Sequence, residues 1–172
     1  GIYVHCTFFE RKCPYCDFYT FGREHPFISR QADYLEALLA EIQSAPARLH
    51  WSAKPAADTI YFGGGTPSLM GPEAMQRILA ALKSVFDFAP SQDSTIETTL
   101  EVNPTTAEAA QIERMIALGV NRFSVGSQSF NDRILQRLGR VHDAATTRRA
   151  LAHMRAAGAG NLSLDLIFAA PT

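Results

Sequence analysis

Short apolar runs alternate along the chain with longer segments in which apolar residues recur every third or fourth position. The runs at residues 2–6, 59–62, 98–102, 122–125 and 162–168 predict β-strands. The segments at 30–43, 72–86, 107–117 and 146–157 have helical spacing. In the first of these, Tyr34, Leu35, Leu38, Leu39 and Ile42 fall on one face. Pro72 suits a first helical turn, where its missing N–H costs nothing, and Gly119 and Gly158 follow two helices as C-terminal stops should. The two prolines of "SAPARLHWSAKPAA" mark residues 44–57 as a surface loop.

Strand and helix in strict alternation predict an α/β fold with a parallel sheet, because each crossover helix returns the chain to start the next strand in the same direction. An open doubly wound sheet and a complete or partial barrel are both compatible with that order. No G-x-G-x-x-G follows the first strand, which weighs against a dinucleotide-binding sheet. A barrel requires functional groups to gather where strands end, since those ends open on one face. The polar residues obey that rule. A cysteine-bearing loop follows the first strand, "GGGTPS" (residues 63–68) the second, Glu101 and Asn103 close the third, Gln128 follows the fourth, and Asp165 lies in the fifth.

The 172 residues suffice for one domain with a substantial core. A formal net charge of -1 gives no basic footprint for nucleic acid. No apolar run reaches the ~18–20 residues of a membrane span, and no signal-peptide pattern precedes the first strand, so a cytoplasmic protein is expected. The apolar runs at both ends suggest a piece of a longer protein.

Candidate chemistry concentrates in "HCTFFERKCPYCDF". Three cysteines, Cys6, Cys13 and Cys16, leave an odd thiol if one pair forms, which favours metal or redox use over a disulfide framework. Cys13 and Cys16 have C-x-x-C spacing, which lets two thiolates meet one metal centre. Gly63, Gly64 and Gly65 allow close backbone approach to a ligand or simply make a tight turn. Glu101 on an apolar strand needs a cation, a donor or a wet cavity, and a salt bridge would satisfy it as well. Gln128 and Asp165 present the same choice. His5 reads as a packing histidine, and Arg140 either grips a carboxylate or is solvated.

"YVHCTFFERKCPYCDF", "TIYFGGGTPSLM", "LEVNPTT", "GVNRFSVGSQSF", "LQRLGRVHD" and "LDLIFAAPT" occur in an order that resembles the radical SAM family containing the oxygen-independent coproporphyrinogen III oxidases and the related heme chaperone HemW. The resemblance runs from Tyr3 to the last residue. Asp17 and Phe18 follow Cys16 where the oxidases tend to carry a further cysteine, which favours the HemW-like branch. The resemblance implies a partial (β/α)6 TIM-like barrel truncated after about the fifth strand, with residues 1–172 forming an incomplete radical SAM core. It implies a [4Fe-4S] cluster and S-adenosylmethionine as cofactors, with heme bound by the full-length protein. Heme or a porphyrin and a heme-acceptor protein are the implied partners. By residue matching, Cys13 and Cys16 would be cluster ligands, Tyr15 would lie by the adenine, and Gly64, Gly65 and Thr66 would hold the methionine part. Tyr3, Glu101, Gln128, Arg140 and Asp165 would complete the pocket.

Two departures qualify this. The family's first cluster cysteine corresponds to Phe9, and a phenyl ring cannot ligate iron. Three readings are open: Cys6 substitutes with C-x6-C-x2-C spacing, the cluster is incomplete or absent, or a local alteration has displaced the cysteine. The leading functional reading is the radical SAM domain of a HemW-like heme chaperone; an oxygen-independent coproporphyrinogen III oxidase and a degenerate, cluster-less binding or structural domain are the alternatives. The second departure is "IFAAP", where the family usually has glycine in place of Ala169, so a methyl group restricts that turn.

Overall fold

The computed structural model describes residues 1–88 and 96–170. Five parallel strands, β1 (Ile2–Cys6), β2 (Thr59–Gly64), β3 (Glu97–Val102), β4 (Arg122–Gln128) and β5 (Leu162–Leu166), lie side by side in chain order. That order resolves the choice left by the sequence. A doubly wound sheet would reverse direction after its first strands, whereas this one winds steadily the way a barrel does.

Among the described residues five α-helices form the crossovers and their extensions: α1 (Gln31–Arg48), α2 (Gly71–Val85), α3 (Ala109–Ala117), α4 (Asp132–Arg137) and α5 (Ala144–Ala156). Because strand side chains alternate with period two, each strand has one face toward these helices and one away from them. Val4, Ile60, Phe62, Leu100, Val102, Phe123 and Val125 point to the helices and share one core with Leu39 and Ile42 of α1, Ile78 and Leu82 of α2, Ile112 and Met115 of α3, and Met154 of α5. Intervening positions carry a different chemistry. Tyr3 aligns with Tyr61, Tyr61 with Thr99, and Thr99 with Arg122, while Glu101 aligns with Ser124 and Ser124 with Ser163. The inner face is therefore polar across the whole sheet.

Several boundaries differ from those expected. α1 runs through Pro46 to Arg48, into the stretch read as a loop. Proline near a helix end forfeits only one intrahelical bond, and Leu49 N–H and Trp51 N–H close the terminus on the carbonyls of Ala45 and Pro46 at 2.9 Å each. α5 starts before Thr146 because Asp143 caps it, its carboxylate accepting from Thr146 N–H at 2.7 Å. α4, absent from the sequence reading, is a short turn capped by Asn131. β5 ends at Leu166 rather than Phe168. Pro171 of the C-terminal motif lies outside the described residues.

Candidate cofactor site

β1 leads into a loop of residues 7–20 whose ends are tied together. Phe8 forms a parallel bridge with Phe21, Phe9 N–H donates to the Phe21 carbonyl at 2.8 Å, and Phe21 N–H donates to the Thr7 carbonyl at 2.6 Å. Within the loop, Cys16 N–H donates to the Cys13 carbonyl at 3.0 Å, closing a turn around Pro14 and Tyr15. The glycine segment after β2 continues the pairing: Gly65 N–H reaches the Cys6 carbonyl and Thr66 N–H the Phe8 carbonyl, both at 2.7 Å. A Cβ at position 65 would collide with those two carbonyls, so only glycine lets the two segments lie this close.

The loop and the strand ends enclose a cavity of about 380 Å³, within the size range of cofactor pockets. Phe9, Cys13, Tyr15 and Cys16 contribute from the loop; Gly64, Gly65, Thr66, Glu101, Gln128, Arg140 and Asp165 contribute from the strand ends and the segments after them. Of the residues marked out by the sequence, Tyr3, His5, Cys6 and Gly63 do not line it. The Tyr3 ring stacks on Tyr61 with centroids 6.1 Å apart, and Tyr61 does line the cavity. Cys6 lies at the end of β1 opposite Gly64, 1% exposed, and burial pushes its thiol up to about 11.

Glu101 is held by two donors. Its carboxylate accepts from the Tyr61 hydroxyl at 2.8 Å and from Gly64 N–H at 3.0 Å. Burial nevertheless raises its pKa, with the neighbouring Asp165 adding to the rise while the two donors oppose it. Arg140 follows α4 and is held by three acceptors: the Gly126 carbonyl at 2.9 Å from Nη2, and Cys13 Sγ and His142 Nδ1 at 3.5 Å each. Its Nε is buried and finds no acceptor among the described residues. An unsatisfied guanidinium N–H is costly to bury, so an acceptor supplied by a ligand would relieve it. Asp165 accepts from Ser124 Oγ at 2.9 Å, and Gln128 takes a left-handed backbone, φ 60°, beside a register shift in the β4–β5 pairing.

Three supporting residues escaped the sequence reading. Tyr61 and Ser124 orient the two acids, and their inward alternation on β2 and β4 was the available signal. His142 is buried, and its Nε2 contacts the Ser127 carbonyl at 3.2 Å. Burial and the Arg140 charge lower its pKa, which keeps the ring neutral so that Nδ1 can accept from Arg140.

A cluster with one open iron requires three thiolates from this loop. Two are present, and the phenyl of Phe9 stands on the same wall. Among the described residues no three His, Cys, Asp or Glu side chains converge as a metal site. The residues present therefore do not fit a three-thiolate cluster. They do fit a cationic amino-acid-bearing ligand, since carboxylates and a partly unsatisfied arginine face one cavity.

The chain is 37% identical over 172 residues to the heme chaperone HemW of Haemophilus influenzae, covering 99% of this chain and 43% of that protein. It is 35% identical over 173 residues to HemW of Escherichia coli, again covering 43% of the relative. The chain thus spans less than half the length of these relatives. The solved structure of the Escherichia coli coproporphyrinogen III oxidase HemN, described as a radical SAM enzyme, superimposes with a TM-score of 0.82 at 27% identity, over 99% of this chain and 37% of HemN. Residues 2–172 match the radical SAM superfamily, and with a parallel sheet wound as that superfamily's is, the chain belongs to it.

Proposed function

We propose that this chain is the S-adenosylmethionine-binding part of a HemW-like, heme-handling protein. Radical SAM proteins in general work with a [4Fe-4S] cluster and S-adenosylmethionine; the proposal assigns this chain the second and not a complete site for the first. The observation that carries it is the buried Arg140 Nε without an acceptor, in a cavity that also holds Glu101 and Asp165. S-adenosylmethionine has a carboxylate for Arg140, an ammonium and a sulfonium for the acids, and ribose hydroxyls for Asp165 and Gln128. Gly64, Gly65 and Thr66 would hold its methionine part, and Tyr15 would face the adenine.

Heme binding and delivery to an acceptor protein are proposed for the full-length protein, in keeping with its likeness to proteins named heme chaperones. Cytoplasmic residence is part of the same proposal. Among the described residues no helix is long and apolar enough to cross a membrane.

Calorimetric titration of the protein with S-adenosylmethionine tests the first part. Binding should weaken by about 10- to 100-fold in Arg140→Ala, the scale of a lost hydrogen bond to a charged group. Equal affinity in wild type and variant would overturn the assignment. Titration of the full-length protein with heme, followed by transfer to an apo-acceptor, tests the second part. A coproporphyrinogen III oxidase is the competing reading, favoured by the close superposition on HemN; anaerobic decarboxylation of coproporphyrinogen III would establish it.

A further inference from the structure

The loop that provides only two of three thiolates still brings those two together. The Cys13–Cys16 hydrogen bond closes a four-residue turn, and such turns hold their first and last Cα atoms within about 7 Å. Disulfide-linked Cα atoms lie about 4.4–6.8 Å apart. Both side chains line the same cavity. Their surroundings differ: Cys13 is 7% exposed and accepts from Arg140 Nη1 at 3.5 Å, while Cys16 is more accessible. Access assigns the roles: Cys16, three positions on, can be reached by a disulfide from solution, whereas Cys13, buried beside Arg140, can attack only a mixed disulfide formed next to it. Phe9 fixes the remaining wall through its backbone bond to Phe21, and Cys6 is shut into β1, so no third thiol competes.

We propose that Cys13 and Cys16 form a thiol–disulfide couple that exchanges with small-molecule disulfides at the cofactor cavity. The sulfur of Cys16 attacks one sulfur of the disulfide RSSR, whose S–S bond breaks and releases RS⁻. Cys13 then attacks the Cys16 sulfur of the mixed disulfide and expels the second RS⁻. Two electrons pass from the cysteine pair to RSSR, and the two thiol protons end on two RSH. The couple does not require S-adenosylmethionine in the cavity, so failure of one assignment leaves the other standing.

The test equilibrates the metal-free protein anaerobically with oxidised and reduced glutathione at graded ratios. Acid quenching, alkylation, intact mass and peptide mapping follow. Wild type should lose two alkylatable thiols together, retain no glutathione, yield a Cys13–Cys16 linked peptide, and show Cys6 alkylated after denaturation. Cys13→Ser should trap glutathione on Cys16, and Cys16→Ser should form adduct at least about tenfold more slowly, as expected when the accessible attacking thiol is removed. A linkage through Cys6, persistent glutathionylation of wild type or undiminished thiol content would each overturn the proposal without reliance on the variants. A parallel sample reconstituted with iron and sulfide supplies a second check. Four irons per chain with Cys13 and Cys16 protected from alkylation would assign the pair to a cluster instead, whereas Phe9→Cys, not wild type, gaining iron and sulfide would support it.

Discussion

Glu101 shows how one residue can be costly to the empty fold and useful to the filled one. Its folded pKa is raised above the ordinary 4.5, so its contribution to the stability of the ligand-free protein is full below that value and is lost as pH rises through the folded pKa. A cationic ligand favours the ionised form and reverses this sign. Affinity for S-adenosylmethionine should therefore increase as pH rises through the Glu101 titration and then level off. Glu101→Gln should bind more weakly and lose that dependence; calorimetry across a pH series reads both. Ala169 makes the opposite case, a residue at odds with its backbone. It sits at φ 54°, a left-handed conformation that costs a residue with a Cβ roughly 1–2 kcal/mol. Ala169→Gly should raise stability by about 1 kcal/mol in urea unfolding, and an unchanged midpoint would contradict this account. The sequence marked that position because an alanine stood where glycine is usual, and the backbone angle supplies the reason.

At the scale of elements, the site depends on how strands and helices end. β2 must be followed by glycine, Gly65, for the chain to pass beside the Cys6 and Phe8 carbonyls. α4 is only six residues, yet its termination aims Arg140: Arg140 N–H returns to the Leu135 carbonyl at 2.9 Å, after Gly139 turns through φ 70° against Pro14 of the cysteine loop. This is the glycine-ended helix stop seen generally, here used to set a guanidinium beside a thiol. Such a short helix carries too little periodicity to be read from sequence, whereas the Asn131 cap that starts it was visible in principle. The extension of α1 through Pro46 was hidden for the converse reason: proline is a strong local signal that the packing of Leu39, Ile42 and Ala45 overrides.

For the molecule as a whole, the two faces of the sheet divide the work. The outward face makes the core and the inward face makes the cavity, so stability and binding should be separable by changes at adjacent residues. Leu100→Ala, which truncates a fully buried side chain, should cost about 2–5 kcal/mol and lower Tm by on the order of 10 °C in a chain of this size. At Glu101, one position on, substitution by Gln should change Tm far less while weakening ligand binding. Thermal scans with and without S-adenosylmethionine read the difference, and equal losses of Tm in the two variants would contradict the division.

The sequence by itself determined the parallel α/β order, the position of every strand to within a few residues, and the set of polar groups at the strand ends. These follow from local periodicity and from the short separations that fix which residues share a face. It also determined that Phe9 cannot be a ligand, since that is a matter of side-chain chemistry alone. Periodicity left an open sheet and a barrel both possible, and the resemblance implied the barrel that the strand order shows; only the tertiary structure decided that Cys6 is sealed away from the cavity while Cys13 and Cys16 meet in it, and that Tyr61, Ser124 and His142 hold the charged groups in place. Those outcomes depend on strand register and on contacts between residues far apart in the chain, which no local pattern encodes.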